Sequence, residues 1–582
     1  MAESTQKRGT APRRGLFSLL RPYWPWVGLL IALTIAGNAL NLAGPQFIAF
    51  AIDSFGRAGF SLPLLVTQFA ALCAGIFVFT YVQAIIQTLA SERVARDLRQ
   101  RLVQRISQQD FAYIQNITPA RLLTNLTSDV DAIKNFVSQA IASIVSSLFL
   151  IAGASVLLLL INWPLALAVL TVVPIIATTF YLVLSRVRKL FRKAQGVIDW
   201  LNKVIGESIL GSSLIRLVNS QAAEYDKFLA ANREAFGIGM SILRLFSGLI
   251  PAIIFISNLA TLIILAFGGH LVISGAMSLG SFAAFNSYLA ILIFPILIIG
   301  FMSNVVAQAQ ASYDRIEQVI NAPEPKPWGT LDLPLRGDFD IEHLTVRYGQ
   351  RLALDDVSLA AKAGTRTAII GPTAAGKTQL LYAMTGLIEP QAGRITYDGK
   401  LLTDYERQAL HRQVALVFQD SVTFSLTVRE NIAFSSIVDD ASLAKAVATA
   451  ELSDFIATLP EGLDTVISER GTSLSGGQKQ RIMLARALAL NPRILLLDDF
   501  TARVDQRTER KILANVRSNY PEVTLVSVTQ KIAPVEDYDQ IVLLMEGKVL
   551  AAGTHAELMH ASPEYVQIYR SQQSTEDYEV QA

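Results

Sequence analysis

The residues with the clearest chemical pattern form a glycine-rich run that ends in lysine and threonine. The run reads Gly371-Pro372-Thr373-Ala374-Ala375-Gly376-Lys377-Thr378 and matches the phosphate-binding pattern G-x-x-x-x-G-K-[ST]. Glycines let backbone N–H groups curl around phosphates, and the start of a following helix adds a partial positive charge. Lys377 can reach the β- and γ-phosphates, and the Thr378 hydroxyl can bind Mg²⁺. The run therefore predicts a nucleotide-binding loop.

The sequence around this run predicts the elements that such a loop needs. A β-branched segment, residues 365–370, leads directly into it, and Gln379 opens a helical pattern after it. An earlier strand-like segment, residues 339–347, ends immediately before Tyr348. A strand before the loop and a helix after it are the expected context of this motif.

Two further motifs follow in order along the chain. The first is the glycine-rich sequence Leu474-Ser475-Gly476-Gly477-Gln478. The second is the apolar segment 494–498, which predicts a buried strand ending in the carboxylate of Asp498. A carboxylate there can bind Mg²⁺ directly or through water, because this ion prefers oxygen ligands.

These three motifs together resemble the nucleotide-binding domain of ATP-binding cassette (ABC) proteins over residues 337–575. The resemblance implies ATP and Mg²⁺ as cofactors. Tyr348 would stack on adenine, and residues Gly371 to Gln379 would surround the phosphates. Gln419 would lie near Mg²⁺ and the attacking water, and Asp498 would bind Mg²⁺. The resemblance thus places Mg²⁺ on Thr378, Gln419 and Asp498. Tyr348 could alternatively be a surface tyrosine at a strand end, and Gln419 a solvated polar residue.

The same resemblance assigns roles between subunits. Ser475, Gly476, Gly477 and Gln478 would cap ATP that is held by the opposite subunit. Asp505 would lie in the loop that links the two ATP sites, and residues 468–471 would contact the transmembrane domain. In this family two cassettes hold ATP between them. Because this chain has only one cassette, the working unit should contain two chains.

Two residues depart from the family pattern at positions that matter for hydrolysis. The residue after the Walker B aspartate is normally a glutamate that activates water, and here it is the shorter Asp499. Gln530 stands where the family has a histidine that contacts the γ-phosphate, and glutamine cannot carry a positive charge. The chain has five histidines, and none lies between His411 and His555.

Milder departures are Ala374-Ala375, where Gly-Ser is common, and the linking loop at residues 501–505. The coincident changes at Asp499 and Gln530 resemble the impaired site of asymmetric heterodimeric exporters. The expected partner is a different half-transporter with the glutamate and the histidine intact, for which this chain supplies the Ser475–Gln478 cap. The alternative is a homodimer in which Asp499 supports slow but adequate hydrolysis.

The first half of the chain predicts a membrane domain. Charged residues make up 17% of the sequence, against about 25% in soluble domains, and the mean hydropathy is +0.39. Long uncharged stretches divide into six spans of sufficient length. The predicted spans are about 24–52, 62–91, 135–161, 164–186, 245–272 and 278–306. No basic stretch with interleaved aromatic residues points to nucleic acid.

The charges between the spans predict their orientation. Arginines and lysines concentrate at the N-terminus and in residues 92–134 and 186–244, whereas Arg57 is the only basic residue in the opposite connections. Positive segments stay cytoplasmic, so both termini should be cytoplasmic. The resemblance to ABC exporters, described below, implies a bacterial plasma membrane. The apolar spacing of Val94, Leu98, Leu102 and Ile106 predicts that the spans continue as helices into the cytoplasm.

The predicted fold is therefore multidomain, with an α-helical six-span transmembrane domain carrying long cytoplasmic helical extensions, followed by an α/β P-loop nucleotide-binding domain. The predicted limits are 1–322 for the membrane domain, 323–336 for a proline-marked linker, 337–575 for the cassette and 576–582 for a tail. This arrangement resembles ABC exporters of the type IV fold. Cys73, the single cysteine, lies in an apolar run and is expected to be a small buried residue.

The resemblance implies an ATP-driven exporter that alternates between inward- and outward-facing states. The spans contain almost no charge, which favours hydrophobic or amphipathic substrates such as drugs, lipids or peptides over small ions. Scattered polar residues in the spans are expected to form interhelical hydrogen bonds more often than to line a cavity. A lipid flippase is one alternative. An ATP-gated channel or regulator is another, but it would be favoured by a charged pore, which the sequence lacks.

Overall fold

The fold was analysed in a computed structural model, which describes residues 15–55, 60–348, 351–467, 474–500 and 504–581. The described residues form two compact units. The first contains the residues up to Gln108 together with Thr118–Pro323, and the second contains Gln109–Ile117 together with the residues from Glu324 onward. The second unit is therefore discontinuous in the sequence.

The helices before the linker are, in chain order, α1 (Leu16–Leu19), α2 (Trp24–Ser54), α3 (Leu62–Ser107), α4 (Phe111–Ile117), α5 (Pro119–Thr124), α6 (Val130–Asn135), α7 (Ile141–Ile161), α8 (Trp163–Leu170), α9 (Val172–Leu210), α10 (Ser212–Leu217), α11 (Gln221–Ile263), α12 (Gly269–Ile273) and α13 (Leu279–Ile320). π-Helical turns join α5 to α6, α6 to α7 and α11 to α12. Six continuous helical runs within the described residues are long and apolar enough to span a membrane. This confirms the prediction of six apolar helices.

Local sequence explains where these helices break. Asn162 is extended, and its side chain accepts a hydrogen bond from the Leu165 N–H at 3.1 Å, so it ends α7 and caps α8. Ser278 caps α13 in the same way through the Ser281 N–H at 3.0 Å. The Asp53 carboxylate, near the end of α2, also accepts from the Ser278 hydroxyl at 2.6 Å and from the Gly280 N–H at 2.8 Å. The ends of α2 and the start of α13 are thus hydrogen-bonded together.

The polar extensions of these helices pack through a buried stripe and several ion pairs. Val94, Leu98 and Leu102 of α3 are buried, as their spacing predicts. Asp129 is 2% exposed and accepts hydrogen bonds from the Ser312 hydroxyl at 2.9 Å and from the Arg315 guanidinium of α13. Because a buried carboxylate is costly unless it is paired, this contact ties the extension before α6 to that of α13.

Polar side chains within the apolar stretches form hydrogen bonds with neighbouring helices or with their own helix. The Asn38 amide donates to the Ser146 hydroxyl at 2.8 Å, and the Tyr288 hydroxyl donates to the Leu42 carbonyl at 2.8 Å, so both join different helices. Asn41 and Asn286 donate to carbonyls four residues earlier in their own helices. The prediction of a buried Cys73 was wrong, because its side chain is exposed on α3. The buried residues of α3 begin at Ala90, after its apolar part.

The second unit contains ten strands in two sheets. The strands are β1 (Phe339–Tyr348), β2 (Arg351–Ala361), β3 (Arg366–Ile370), β4 (Ala392–Tyr397), β5 (Lys400–Leu401), β6 (Val414–Val417), β7 (Ile494–Asp498), β8 (Thr524–Thr529), β9 (Gln540–Met545) and β10 (Lys548–Gly553). One sheet has the antiparallel order β2-β1-β4-β5, and the other has the order β10-β9-β3-β8-β7-β6. Strands β3, β6, β7, β8 and β9 of the larger sheet are parallel, and β10 is antiparallel. This is the predicted α/β arrangement.

The helices of this unit surround the larger sheet and supply the site. They are α14 (Lys377–Met384), α15 (Arg407–Gln413), α16 (Val428–Ile432), α17 (Asp440–Thr449), α18 (Ser453–Ala457), α19 (Gly476–Leu488), α20 (Gln506–Asn519), α21 (His555–Ala561) and α22 (Pro563–Gln581). The inner strands β7 and β8 are buried on both faces, as parallel strands covered by helices should be. Ligands of such sheets bind at the carboxyl ends of the strands.

Helix α4 also belongs to this second unit. The Phe111 ring lies 5.5 Å from the Tyr382 ring of α14, edge to face, and Asp110 forms an ion pair with Arg407 at 3.7 Å. Phe111 packs against the core formed by both sheets. A short stretch from the first half of the sequence thus completes the α/β unit.

Candidate nucleotide-binding site

The glycine-rich loop leaves the end of β3 and enters α14. Gly376 has φ 100°, and a Cβ atom there would lie 2.3 Å from the Ala353 carbonyl oxygen. A Cβ atom on Gly371 would lie 2.0 Å from the Leu544 carbonyl oxygen. Real Cβ atoms do not approach oxygens so closely, so both positions require glycine. The resulting loop is wrapped tightly at the carboxyl end of the sheet.

The Lys377 side chain folds back onto the glycine-rich loop. The Lys377 ammonium donates hydrogen bonds to the carbonyls of Gly371 and Pro372, both at 2.8 Å. Burial lowers the pKa of Lys377, while the nearby carboxylates of Asp499 and Asp498 raise it. A partly desolvated ammonium held inside a loop of backbone N–H groups favours binding of an anion.

Asp498 provides a carboxylate with an oxygen free for a ligand. The Thr378 hydroxyl donates to Asp498 Oδ1 at 3.1 Å, and the buried Oδ2 atom has no hydrogen-bond partner among the described residues. Burial raises the pKa of Asp498 to about 6, and the neighbouring charge of Asp499 contributes to the increase. An unpaired buried carboxylate oxygen beside a threonine hydroxyl is an all-oxygen donor set, which fits Mg²⁺.

Asp499 stands at the next position with a left-handed backbone. Its φ is 45°, a conformation that aspartate tolerates better than most residues, and its N–H donates to the Val528 carbonyl at 3.0 Å. Burial raises the pKa of the Asp499 carboxyl, whereas the charges of Lys377 and Lys531 lower it. The carboxylate therefore lies in the electrostatic field of the same lysine that crosses the loop.

Two tyrosines border the loop helix. The Tyr348 hydroxyl donates to the Gln379 side chain at 2.5 Å, which places the end of β1 beside α14, and about half of Tyr348 is exposed. The Tyr382 ring lies between Phe111 and Phe418, with 5.9 Å between its centroid and that of Phe418. Phe418 immediately precedes Gln419. An exposed aromatic face at Tyr348 can stack on a planar base.

The Gln419 segment is held by the helix that follows the second glycine-rich motif. The buried Gln480 side chain of α19 donates to the Gln419 carbonyl at 3.3 Å and accepts a hydrogen bond from the Ser421 hydroxyl. Arg486 of the same helix donates to the Val422 carbonyl at 3.1 Å and to the Asn431 carbonyl at 2.6 Å. The segment that carries Gln419 is therefore attached to α19 at several points.

The start of α19 is a complete capping box. The Ser475 hydroxyl accepts from the Gln478 N–H at 3.2 Å, and the Gln478 side chain accepts from the Ser475 N–H at 2.8 Å. Among the described residues, no hydrogen bond joins this motif to the loop at 371–378. Asp505 caps α20 by accepting from the Thr508 N–H at 2.9 Å. Residues 468–471 and 501–503, which the sequence singled out, lie outside the described residues.

Gln530 follows β8 at the carboxyl end of the sheet. Thr529, the last residue of β8, pairs with Ile370 directly before the glycine-rich loop. The Gln530 carbonyl accepts a hydrogen bond from the Gln572 amide of α22 at 2.7 Å. Sequence reasoning did not identify Gln480, Tyr382 or Gln572. Gln480 lies only two residues beyond the recognised motif, whereas Tyr382 and Gln572 carry no local sequence signal.

The fold and this arrangement define a membrane protein with an ATP-binding cassette. A family profile described as "ABC transporter transmembrane region" matches residues 27–296, and one described as "ABC transporter" matches residues 354–502. The ATP-binding protein YfiB of Bacillus subtilis (strain 168), named as an ABC transporter protein, is 33% identical over 565 residues, covering 95% of this chain and 98% of the relative. The chain therefore belongs to the ABC transporter family.

Other relatives carry more specific names. An ATP-dependent lipid A-core flippase of Ralstonia nicotianae is 31% identical over 84% of both chains. A fatty acid ABC transporter ATP-binding/permease protein of Mycobacterium tuberculosis is 30% identical, covering 86% of this chain and 80% of the relative. A solved bacterial Atm1-family ABC exporter with ATP bound superposes with a TM-score of 0.77 at 24% identity, covering 95% of this chain and 98% of that one. The chain thus has the fold of an ABC exporter, with one membrane part and one cassette, and ATPase-coupled transport follows from its family.

Proposed function

We propose that this chain is one subunit of a heterodimeric exporter and that its own ATP site binds nucleotide but hydrolyses it poorly. The observation that carries the proposal is the coincidence of Asp499 and Gln530 beside an otherwise complete phosphate loop. A shorter carboxylate is displaced from the water that it must activate, and a displacement of about 1 Å can cost on the order of 100-fold in rate. Gln530 cannot supply the positive charge of a histidine.

The nucleotide at this site is held by groups with separate tasks. Residues Gly371 to Gln379 surround the phosphates, Lys377 neutralises their charge, and Tyr348 stacks on the base. Thr378, Asp498 and Gln419 hold Mg²⁺, which neutralises phosphate charge when it is bound. The unpartnered Oδ2 of Asp498 and the Thr378 hydroxyl at 3.1 Å from Oδ1 support this metal site.

The second glycine-rich motif serves the other site of the dimer. Ser475, Gly476, Gly477 and Gln478 present their capping box to ATP bound on the partner, and Asp505 lies in the loop that links the two sites. Hydrolysis then proceeds mainly at the partner's P-loop, which has its own glutamate and histidine. ATP binding closes the two cassettes, and the membrane helices alternate between inward- and outward-facing states.

The proposed cargo is hydrophobic or amphipathic. The near absence of charge in the apolar parts of the six helical runs supports this class. Both termini and the cassette are proposed to lie on the cytoplasmic side, which the distribution of arginine and lysine supports, and the membrane is proposed to be a bacterial plasma membrane. The domain limits predicted from the sequence stay part of this proposal, except that residues 109–117 are assigned to the cassette unit.

A lipid flippase is the second candidate, because relatives of at least 30% identity include one named as a lipid A-core flippase and one named as a fatty acid transporter. The two candidates differ in where the substrate is released. Vesicles with fluorescent phospholipid on one leaflet would measure flipping, while uphill accumulation of a soluble dye would measure export. Accumulation against a gradient would also exclude an ATP-gated channel.

The asymmetry is tested by Asp499→Asn in the purified complex. We expect most of the ATPase activity to remain, since this carboxylate is not the main base. The corresponding Glu→Gln change in the partner should reduce activity by at least about 100-fold, because it removes a general base. Mass analysis of the complex purified through a tag on this chain identifies the partner. A complex of two identical chains that loses its activity with Asp499→Asn would contradict the proposal.

A further inference from the structure

Helix α22 is fixed to the core of the cassette unit by its first two turns. Tyr565 is fully buried, and its hydroxyl lies 2.7 Å from His555 Nδ1. Ile568 and Tyr569 pack against the core around the larger sheet, and the Tyr569 ring lies 5.1 Å from that of His555. The position of this helix relative to the sheet is therefore set by buried contacts.

Gln572 lies on the same face of α22, because it follows Ile568 by four residues and Tyr569 by three. Its amide makes two hydrogen bonds to one short stretch of backbone. Nε2 donates to the Gln530 carbonyl at 2.7 Å, and Oε1 accepts from the Ile532 N–H at 2.9 Å. The side chain thus pairs with residues 530–532 as a neighbouring peptide group would in a sheet.

This stretch of backbone directly follows β8, whose last residue, Thr529, pairs with Ile370 just before the phosphate loop. Ile532 is fully buried, and the Lys531 N–H donates to the Thr529 hydroxyl at 3.1 Å. The backbone is therefore fixed on both sides of Lys531, whereas the side chains of Gln530 and Lys531 are exposed. The charge of Lys531 acts on Asp499, which is next to the proposed Mg²⁺ ligand Asp498.

We infer that Gln572 is a positioning residue that holds the 530–532 backbone so that Gln530 and Lys531 face the terminal phosphate of bound nucleotide. Lys531 supplies there a positive charge that Gln530 cannot carry. The contact strengthens the preference of this site for ATP over ADP, since only ATP has the γ-phosphate. The inference rests on the proposal that this site mainly holds ATP.

The test compares ATP and ADP binding at this chain's own site in the purified full complex. Photolabelling with 8-azido-ATP, competed with ATP or ADP, reports the preference, and mass separation of the labelled chains assigns it to this subunit. Gln572→Leu removes both hydrogen bonds, and Gln572→Glu keeps the acceptor but loses the donor. Gln573→Leu is the matched control, because Gln573 bonds only within its helix, to the Tyr569 hydroxyl at 2.9 Å.

We expect Gln572→Leu to reduce the ATP-to-ADP preference about tenfold, which corresponds to losing hydrogen bonds of ordinary strength. Gln572→Glu should fall between the wild type and Gln572→Leu, and Gln573→Leu should match the wild type. Melting temperatures of the three variants separate a local effect from unfolding, and Gln572→Glu serves alone if Gln572→Leu does not fold. An unchanged preference in folded Gln572 variants would overturn the inference. A wild-type site that does not retain ATP would instead overturn the proposed function and, with it, this inference.

Discussion

At the scale of single residues, the candidate site combines groups that the sequence identifies with others that only the structure identifies. Lys377, Thr378 and Asp498 follow from motifs and lie together, with 3.1 Å between the Thr378 hydroxyl and the Asp498 carboxylate. The contact of Gln480 with the Gln419 carbonyl joins residues 61 positions apart, which no local pattern predicts. Motifs identify groups that touch the ligand, whereas the residues that support them are set by packing.

His411 gives the cassette unit a predictable response to acid. Its Nε2 lies 2.9 Å from the Thr385 carbonyl, and its ring meets that of Trp328 at 5.8 Å. Burial lowers the pKa of His411 despite the Thr385 carbonyl, and the charge of Arg407 lowers it further. The unfolded chain then takes up a proton near pH 6.5 before the folded chain does. Stability is therefore retained above about pH 6.5 and is lost as the pH falls below it.

We expect the melting temperature of the wild-type complex to fall more steeply between pH 7.5 and 5.5 than that of His411→Gln. Glutamine can still donate to the Thr385 carbonyl but does not titrate. Scanning fluorimetry of both proteins in the same detergent measures the difference. Parallel curves would show that His411 is not responsible for any acid sensitivity.

At the scale of elements, α19 connects the two glycine-rich motifs. Its first turn presents Ser475, its second turn holds the Gln419 carbonyl through Gln480, and its last turn holds the 422–431 segment through Arg486. The Arg486 guanidinium also lies 5.1 Å from the centre of the Phe434 ring. The segment that carries Gln419 and the Ser475 motif are therefore attached to the same helix.

Gln480→Leu should weaken this connection. It leaves the Gln419 carbonyl and the Ser421 hydroxyl without their buried partner, which costs about 1–3 kcal/mol. We expect a higher KM for ATP and a lower kcat of the whole complex, because both the local site and the cap for the partner's site lose their support. Gln480→Glu retains the acceptor for Ser421 and should lose less. Unchanged kinetics in a folded Gln480→Leu complex would contradict this role of α19.

The elements themselves were largely predictable. Uncharged runs predicted six apolar helices, and Asn162-Trp163-Pro164 marked a break because asparagine caps helices and proline favours their first turn. The exposure of Cys73 was not predictable, because an apolar run looks the same whether it faces protein or lipid. The packing of α4 into the cassette unit depends on the contacts of Phe111 and Asp110, which the periodicity of a seven-residue helix does not reveal.

At the scale of the whole molecule, the six helical runs allow a direct test of orientation. The chain has a single cysteine, so a Cys73→Ser background permits single cysteines to be introduced. Ala276 is exposed in the connection between α12 and α13, and Ala222 is exposed at the start of α11. Arginines and lysines predict that the first is external and the second cytoplasmic.

We expect a membrane-impermeant maleimide to label Ala276→Cys in intact cells and Ala222→Cys only after the cells are permeabilised. Each position is the control for the other, because both are exposed and lie in short connections or helix starts. Labelling of Ala222→Cys in intact cells would reverse the proposed orientation and place the cassette outside.

The membership of α4 in the cassette unit also bears on how such a protein can be divided. A cut at the prolines near residue 323 separates membrane helices from strands, but it leaves residues 109–117 behind. In the excised cassette, Tyr382 would lose its packing contact with the Phe111 ring, and Arg407 would lose its ion pair with Asp110. A soluble fragment that is meant to fold by itself would therefore need residues 109–117 joined to it through an added loop or as a fusion.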